Sequence, residues 1–556
     1  MATHQTTPGD EIYGPGTFID KEVLPVPVDA RRVFEFLALS TPSFTKDPNA
    51  WSAVNFSGGS TPMIPGPIKA PVIAAALHAM CGLVANELLE LRDGKALLDS
   101  TVAVDTDHAG LWLGSTFTTY INGLDVPALV CTKKLASIFN RDFEQGFGQG
   151  LAGRTTALYQ TKDPNVWYQL HGSLNANKTL EEMGIPTNVE FDTMKEYYNH
   201  IQTYVTNWSP DEIEMHNIRH GLCGSICYSP AAWRNTVMGQ RLNSYPLVNY
   251  NCQPYTAPTP KVPLPIATTD SRPLVGIKVL EMVRIIAGPT IGVTLASYGA
   301  DVIKVNCSRL VDLNVLQLTL NAGQRTIDLD ITSTEDRALL DRLIADVDIF
   351  VQARRQRKKG IIYGDENCYG PDGPFAERPG WQQIGDAASG TSYVIGKSLG
   401  YPEGHSVLPH LPVSDMTTGI VGALEAMMAV RDRAINGGSY HVIFSLVAAD
   451  TIALEKEIGL YPPEVVAQTV NKFGFAPSTS DQFVSEIMLQ VIDGWKQDLP
   501  RYLDENSHLM TDYQHGPWGQ QKLLKPVVKL GNDAATPRWT TPSVPNCHHA
   551  KNTQWL

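Results

Sequence analysis

At 556 residues the chain is too long for one ordinary domain, so two units are expected. A hydrophobic content of 43% with 18% charged residues describes a well-cored globular protein. The net charge of −13 argues against nucleic acid or an anionic membrane as partner, while leaving room for a local basic site that binds an anion.

Eight cysteines are scattered along the chain, and Cys223 with Cys227 is the only close pair, so reduced structural thiols are expected and no metal. The N-terminal stretch is polar and lacks an apolar signal core. No apolar run approaches the roughly twenty residues that span a bilayer, so a cytoplasmic protein is expected.

In chain order, residues 1–25 are rich in Thr, Pro and Gly and read as a flexible lead-in. VIAAALHAMCGLVANELLEL, from Val72 to Leu91, carries the broad apolar stripe of a buried helix, and STVAVDT after it alternates like a strand. Leu158 to His171 holds two β-rich runs around an Asp-Pro-Asn turn, which predicts a hairpin. Helices are expected from Leu174 to about Cys227, broken at Pro186 and Pro210. Residues 253–273 carry six prolines and read as a linker, with a boundary near residue 265.

Beyond that boundary a β-α-β pattern opens. GIKVLEM is a short buried strand, TIGVTLASYGA a helix with Pro289 suited to its first position, and DVIKV a second strand. A helix N-terminus at the end of a strand is an anion site. Dinucleotide chemistry is not indicated: no G-x-G-x-x-G is present, and Asn306 stands where a ribose-binding acid would sit. Next come the NAGQRTIDLDI turn and strand, a helix from Thr334, and the strand DIFVQA. The run Arg354 to Lys359 follows directly and is the most basic stretch of the chain; it is either a solvated loop or a phosphate site.

Leu408 to Leu446 delivers Asp415 behind a proline-bounded loop, at the mouth of an apolar segment rich in Ala, Met and Gly. Local pattern alone reads this aspartate as a helix N-cap.

The blocks GIKVLEMVRIIAGP, ASYGADVIKV, NAGQRTIDLDI, DVDIFVQ, YGPDGPFAERPGW, LPVSDMTTG and RDRAINGGSYHVIFSL resemble, in this order, those of the family III CoA-transferases. That family is also called CaiB/BaiF and includes the α-methylacyl-CoA racemases. The first half resembles later parts of the same family: PIKAPVIAAALHAM is similar to the block around Asp415, and ALYQTKDPNVWYQLHGS to a small-domain hairpin. The whole resembles a two-unit, tandem branch in which Ala70 stands opposite Asp415.

The resemblance implies an α/β fold, a Rossmann-like parallel-sheet domain plus a smaller α+β domain in an interlocked architecture. It divides the chain into a lead-in (1–25), a degenerate first unit with the small domain (26–265), and a second unit with the CoA-binding region and the nucleophile (266–556). It implies a transferase that moves coenzyme A between an acyl-CoA and a carboxylic acid through an aspartyl-CoA thioester on Asp415, without metal, NAD or FAD, in a homodimer. The matching CoA positions are Arg284, Ile286, Ala287, Arg325, Leu329 to Thr332, Ala353, Arg354, Arg355, Trp381 and Gln382.

Two alternatives stay open. A racemase or isomerase would pair Asp415 with a second base, and Trp381 stands where the racemase branch carries a His, leaving His108 or His171 for that role. A repurposed, non-catalytic family member is the other, because the segment between DIFVQARR and IIYGDENCYGP is short by about a helix.

Overall fold

The computed structural model describes residues 6–7, 11–144, 148–253, 259–266, 269–352 and 360–556. Its central feature is a seven-stranded sheet: β1 (Tyr250–Gln253), β2 (Lys278–Glu281), β3 (Asp301–Asn306), β4 (Arg325–Asp328), β5 (Ile349–Val351), β6 (Ile362–Asn367) and β7 (Ser439–Ser445). The spatial order is β1-β7-β6-β5-β2-β3-β4. Strands β2 to β7 are all parallel, and β1 is added antiparallel on β7. Short runs such as Ile349-Phe350-Val351 are buried on both faces, as a sheet covered on both sides requires.

The chain winds outward from β2 in one direction to β4, then returns beside β2 at β5 and winds the other way to β7. This doubly wound order places a topological switch point between β2 and β5, where ligands bind at the C-terminal strand ends. Parallel neighbours normally need a long helical crossover, yet β5 and β6 are joined by residues 352–361 alone. The short segment noted in the sequence is this β5-to-β6 connection, of which residues 353–359 lie outside the described residues.

Five helices matter for the site: α1 (Ala70–Asp93), α2 (Ala287–Ser297), α3 (Gln382–Ser389), α4 (Val413–Asn436) and α5 (Val484–Asp498). Both α1 and α4 are long and apolar enough to cross a membrane, contrary to the reading that no run is; both lie buried inside the fold as core helices. They pack on each other, and α4 packs on α2. Small residues set that second contact. A methyl group on Gly419 would come within 2.4 Å of the Thr290 side chain, and one on Gly422 within 2.7 Å of Ile291, so the helices approach closely only with glycine there. Helix α2 starts at Ala287, two residues before the Pro289 start expected from the sequence.

Strands Ala157–Gln160, Trp167–His171 and Cys223–Ile226 form the small antiparallel sheet, the first two being the predicted hairpin. With its helices this unit has a core of its own. The boundary at residue 265 does not separate two cores, however. Strand β1 from the first half completes the second-half sheet, while Lys529–Leu530 pairs with the first-half strand Val102–Asp105. A hairpin of Tyr513–Gly516 and Gly519–Lys522, absent from the sequence reading, pairs with Tyr120–Ile121. One hydrophobic core runs from Tyr13 to Trp539, so the halves interlock within a single chain.

The lead-in is corrected as well. Tyr13, Ile19 and Asp20 are buried, and Asp20 joins Asp29 (2.6 Å) in pairing the fully buried Lys69. A buried ammonium group demands such partners, and the nearest available carboxylate lies in that segment.

Candidate active site

The close packing of α4 on α2 brings the starts of the two helices together, and the Thr290 hydroxyl donates to Met416 Sδ at 3.6 Å. Beside this contact opens a cavity of about 240 Å³, at the C-terminal edge of the sheet. Its wall includes Ile285 and Ile286 from the turn after β2, Trp381, Gln382 and Gln383 at the start of α3, and Asp415 at the start of α4.

Asp415 is not the helix cap. The N-cap is Pro412, α4 begins at Val413, and Asp415 occupies its third position without a capping bond at the helix end. It is 8% exposed, and that exposure opens on the cavity. Burial, together with the charges of Glu366 and Asp386, raises its pKa well above the usual carboxylate range. The helix N-terminus opposes this by favouring the anion.

Beneath Asp415 lies a second layer of acids. Asp386 accepts hydrogen bonds from Gln382 Nε2 (3.1 Å) and from the Ser414 hydroxyl (3.2 Å). Burial holds Asp386 at about 7 against these two bonds. Asp450, packed against it, is pushed well up by burial and then by Asp386. Glu366, at the end of β6, is raised to about 7 by desolvation and by Asp365. Gln382 also donates to the Leu411 carbonyl (3.4 Å), so the loop leading to Asp415 is fastened to α3 at two points.

His171 comes into the same wall from the small unit. Its ring stacks on Trp381 with centroids 4.8 Å apart and planes at 16°. Nδ1 accepts the backbone N–H of Ser173 (2.9 Å), so Nε2 carries the hydrogen and donates to Gln383 Oε1 (3.2 Å). Burial lowers its pKa to about 3, so the imidazole is neutral and both nitrogens are engaged. His108 sits elsewhere, bonded through Nε2 to the Lys525 carbonyl (2.9 Å), and is not part of this wall. Arg378, bound to Glu214 (2.6 Å) and the Gly224 carbonyl (3.0 Å), fixes the segment carrying Trp381 to the small unit.

The CoA positions inferred from the resemblance are distributed unevenly. Ile286, Trp381 and Gln382 share the cavity with Asp415. Ala287 is buried in the first turn of α2, and Arg284 is exposed just ahead of it, donating to the Val311 carbonyl (2.8 Å). Leu329 is buried beyond the end of β4, and Thr332 is exposed in the turn that follows, where it bonds Asp330 (2.7 Å). Arg325 is not brought to this edge. It opens β4 at the opposite end of the sheet, where Asp301 and the Gln554 carbonyl each hold it at 2.5 Å. Ala353, Arg354 and Arg355 lie outside the described residues.

Two backbone features mark the switch point. Ile285, in the turn between β2 and α2, and Gln352, directly after β5, have φ of 72° and 77°, a left-handed conformation costly for most residues but glycine and most of all for a β-branched one. Sequence reasoning did not find Glu366, Asp386 or Asp450, because each lies on a different element and no spacing links them. It also missed the wall formed by Thr116, Phe117, Val130 and Leu135 from the first half, with Phe483, Val484, Ser485, Met488 and Leu489 around the start of α5.

Among the described residues, one group is placed to hold a metal ion: Glu182, His216 and His220, whose ligand atoms lie within 4.8 Å of one another on the small unit, outside the cavity wall. Cys223 and Cys227 are both free and buried, with thiols that burial pushes up to about 11 and about 12.

Comparison with known proteins supplies the chemical context. The model of "CoA-transferase family III" matches residues 274–474. An "Acyl-CoA transferase" of Gibberella moniliformis is 41% identical over 567 residues, covering 98% of this chain and 98% of that protein. The "Acetyl-coenzyme A transferase nodX" of Hypoxylon pulicicidum is 33% identical over 71% of this chain and 70% of its own length. Among solved structures, a CaiB/BaiF family protein from Brucella suis aligns with 37% of this chain and 60% of its own, at 24% identity and a TM-score of 0.27.

Proposed function

Because this chain belongs to the family III CoA-transferases, we propose that it transfers coenzyme A from an acyl-CoA to a carboxylic acid with Asp415 as the nucleophile. The enzyme class follows from its relatives. The observation that carries the finer reading is the position of Asp415: an uncapped carboxyl in the first turn of α4, on the wall of the cavity at the switch point.

The steps balance without net proton transfer. An Asp415 oxygen attacks the thioester carbonyl; the C–S bond breaks, CoA leaves as thiolate, and a mixed anhydride forms. The thiolate attacks the aspartyl carbonyl, the donor acid departs as carboxylate, and Asp415 holds CoA as a thioester. The acceptor carboxylate then attacks the aspartyl carbonyl and expels the thiolate, forming a second anhydride. The thiolate attacks the acceptor's acyl carbon, releasing new acyl-CoA and restoring the Asp415 carboxylate.

Local geometry supports each demand of this scheme. The N-terminal turn of α4 stabilises the carboxylate, and the buried setting raises its basicity and with it its nucleophilicity. Trp381 and His171 close one side with stacked rings, which limits water at a reactive anhydride. The racemase reading needs a second, free base. With both of its nitrogens engaged, His171 weighs against that reading.

The test is trapping. With acyl-CoA and hydroxylamine, a hydroxamate is expected on the peptide containing Asp415, and Asp415→Asn should lower exchange by at least about 10³-fold. A hydroxamate on another residue, or exchange surviving in the variant, overturns the assignment.

A further inference from the structure

We infer that the acyl group handled here is an apolar one, carried on a monocarboxylic rather than a dicarboxylic acid. This rests on Asp415 as the reaction centre and concerns the rest of its cavity. Apart from Asp415, the only charged side chain on the described wall is Glu144, an acid, raised by burial and accepting the Asn314 backbone N–H at 3.1 Å. No lysine or arginine lines the cavity among the described residues. A second substrate carboxylate entering this space would lose its hydration, meet no cation among the described residues, and face Glu144.

Much of the wall is instead hydrocarbon. Phe117, Val130, Leu135, Phe483, Met488 and Leu489 line it, and Val130, Leu135 and Leu489 are only half-buried although packed against the main core. Their remaining surface would be covered by an apolar ligand, which is the favourable transfer that drives such binding. All six lie outside residues 274–474, the part that matches the family model. The candidate nucleophile thus comes from the matched portion, and these six apolar side chains add to the Ile285, Ile286, Leu313, Val315 and Leu316 that the matched portion itself supplies to the wall.

The experiment measures exchange by the full-length protein from hexanoyl-CoA to butyrate, hexanoate, octanoate and 3-phenylpropionate, and to succinate and glutarate. Catalytic efficiency should rise about fourfold per added methylene until the cavity is filled. Succinate should fall at least about 100-fold below butyrate, and glutarate at least about 100-fold below hexanoate. Equal or better use of succinate or glutarate overturns the inference while leaving CoA transfer intact.

If none of the acids is exchanged, the functional reading fails by itself. Calorimetric binding of octanoate and glutarate to Asp415→Asn then decides the ligand class: tighter octanoate supports it, and equal or tighter glutarate overturns it. Leu489→Arg, or Val130→Arg if the first does not fold, places a cation on the wall. Either should raise the glutarate-to-octanoate ratio at least about tenfold, and an unchanged ratio in a folded variant counts against the inference.

Discussion

The Ser414 hydroxyl donates to the Asp386 carboxyl at 3.2 Å, which ties the residue next to Asp415 to a second buried acid on another helix. Gln382 holds the other oxygen of Asp386 (3.1 Å) and is itself on the cavity wall. Position and charge at Asp415 are therefore set together: the same carboxyl group that anchors the loop also raises the pKa of Asp415. The following expectations separate these two effects.

Glu366 and Asp386 both raise Asp415, Glu366 contributing more. Removing either charge should lower the pKa of Asp415 and extend its ionised form to lower pH. Glu366→Gln and Asp386→Asn should accordingly shift the acid limb of the kcat/KM profile downward, while Asp386→Ala, which also frees Ser414, should in addition reduce kcat by roughly 10- to 100-fold. Profiles that coincide with the parent's would remove Glu366 and Asp386 from the electrostatics of the site.

The buried acids also make stability depend on pH. Asp386, Asp415, Asp450 and Glu366 all have folded values above those of the unfolded chain. Their contribution is fully present below the unfolded carboxylate range and is lost as pH rises through about 7, the value for Asp386 and Glu366. Melting temperature should fall between pH 5 and pH 8, and Asp386→Asn should flatten the slope. Scanning calorimetry across that range checks this; parallel curves for parent and variant would contradict it.

Gly419 has no space for a side chain, since a methyl there would lie 2.4 Å from Thr290. Gly419→Ala should cost roughly 1–3 kcal/mol of stability through overpacking. It should also separate Ile286 from Asp415, so kcat is expected to fall in the variant that remains folded at low temperature. Denaturant unfolding and kinetics on the same preparation measure both.

His171 holds Gln383 and stacks on Trp381, with no nitrogen free to take a proton. His171→Phe keeps the stack and loses the hydrogen bond, so CoA exchange should drop by no more than about tenfold. Incorporation of solvent deuterium at the α-carbon of an acyl-CoA, abolished in this variant, would instead identify a base there.

Much of the doubly wound domain was legible because its strands are short apolar runs and its helices carry their own stop signals. GIKVLEM, DVIKV and DIFVQA became β2, β3 and β5, and the Asp-Pro-Asn turn did mark a hairpin. The order of motifs gave the family, and with it the identity of Asp415 as the residue to examine. The helix starts earlier than the local pattern predicts, since Pro412 is the N-cap and Val413 and Ser414 precede Asp415 in α4.

Local sequence alone thus determined the secondary structure around the sheet and the family, and it pointed to Asp415 as the candidate nucleophile, because each is written in the order of neighbouring residues. Only the tertiary structure decided what surrounds that carboxylate. It placed Arg325 at the far end of the sheet, put His171 against Trp381 with both nitrogens engaged, stacked Glu366, Asp386 and Asp450 behind Asp415, and lined the cavity with side chains from Phe117 and from Met488. The physical reason is that desolvation and charge depend on distance in space. Acids on other elements, Glu366 and Asp386, raise the pKa of Asp415, side chains hundreds of positions away such as Phe117 give its cavity its character, and no local pattern records their approach.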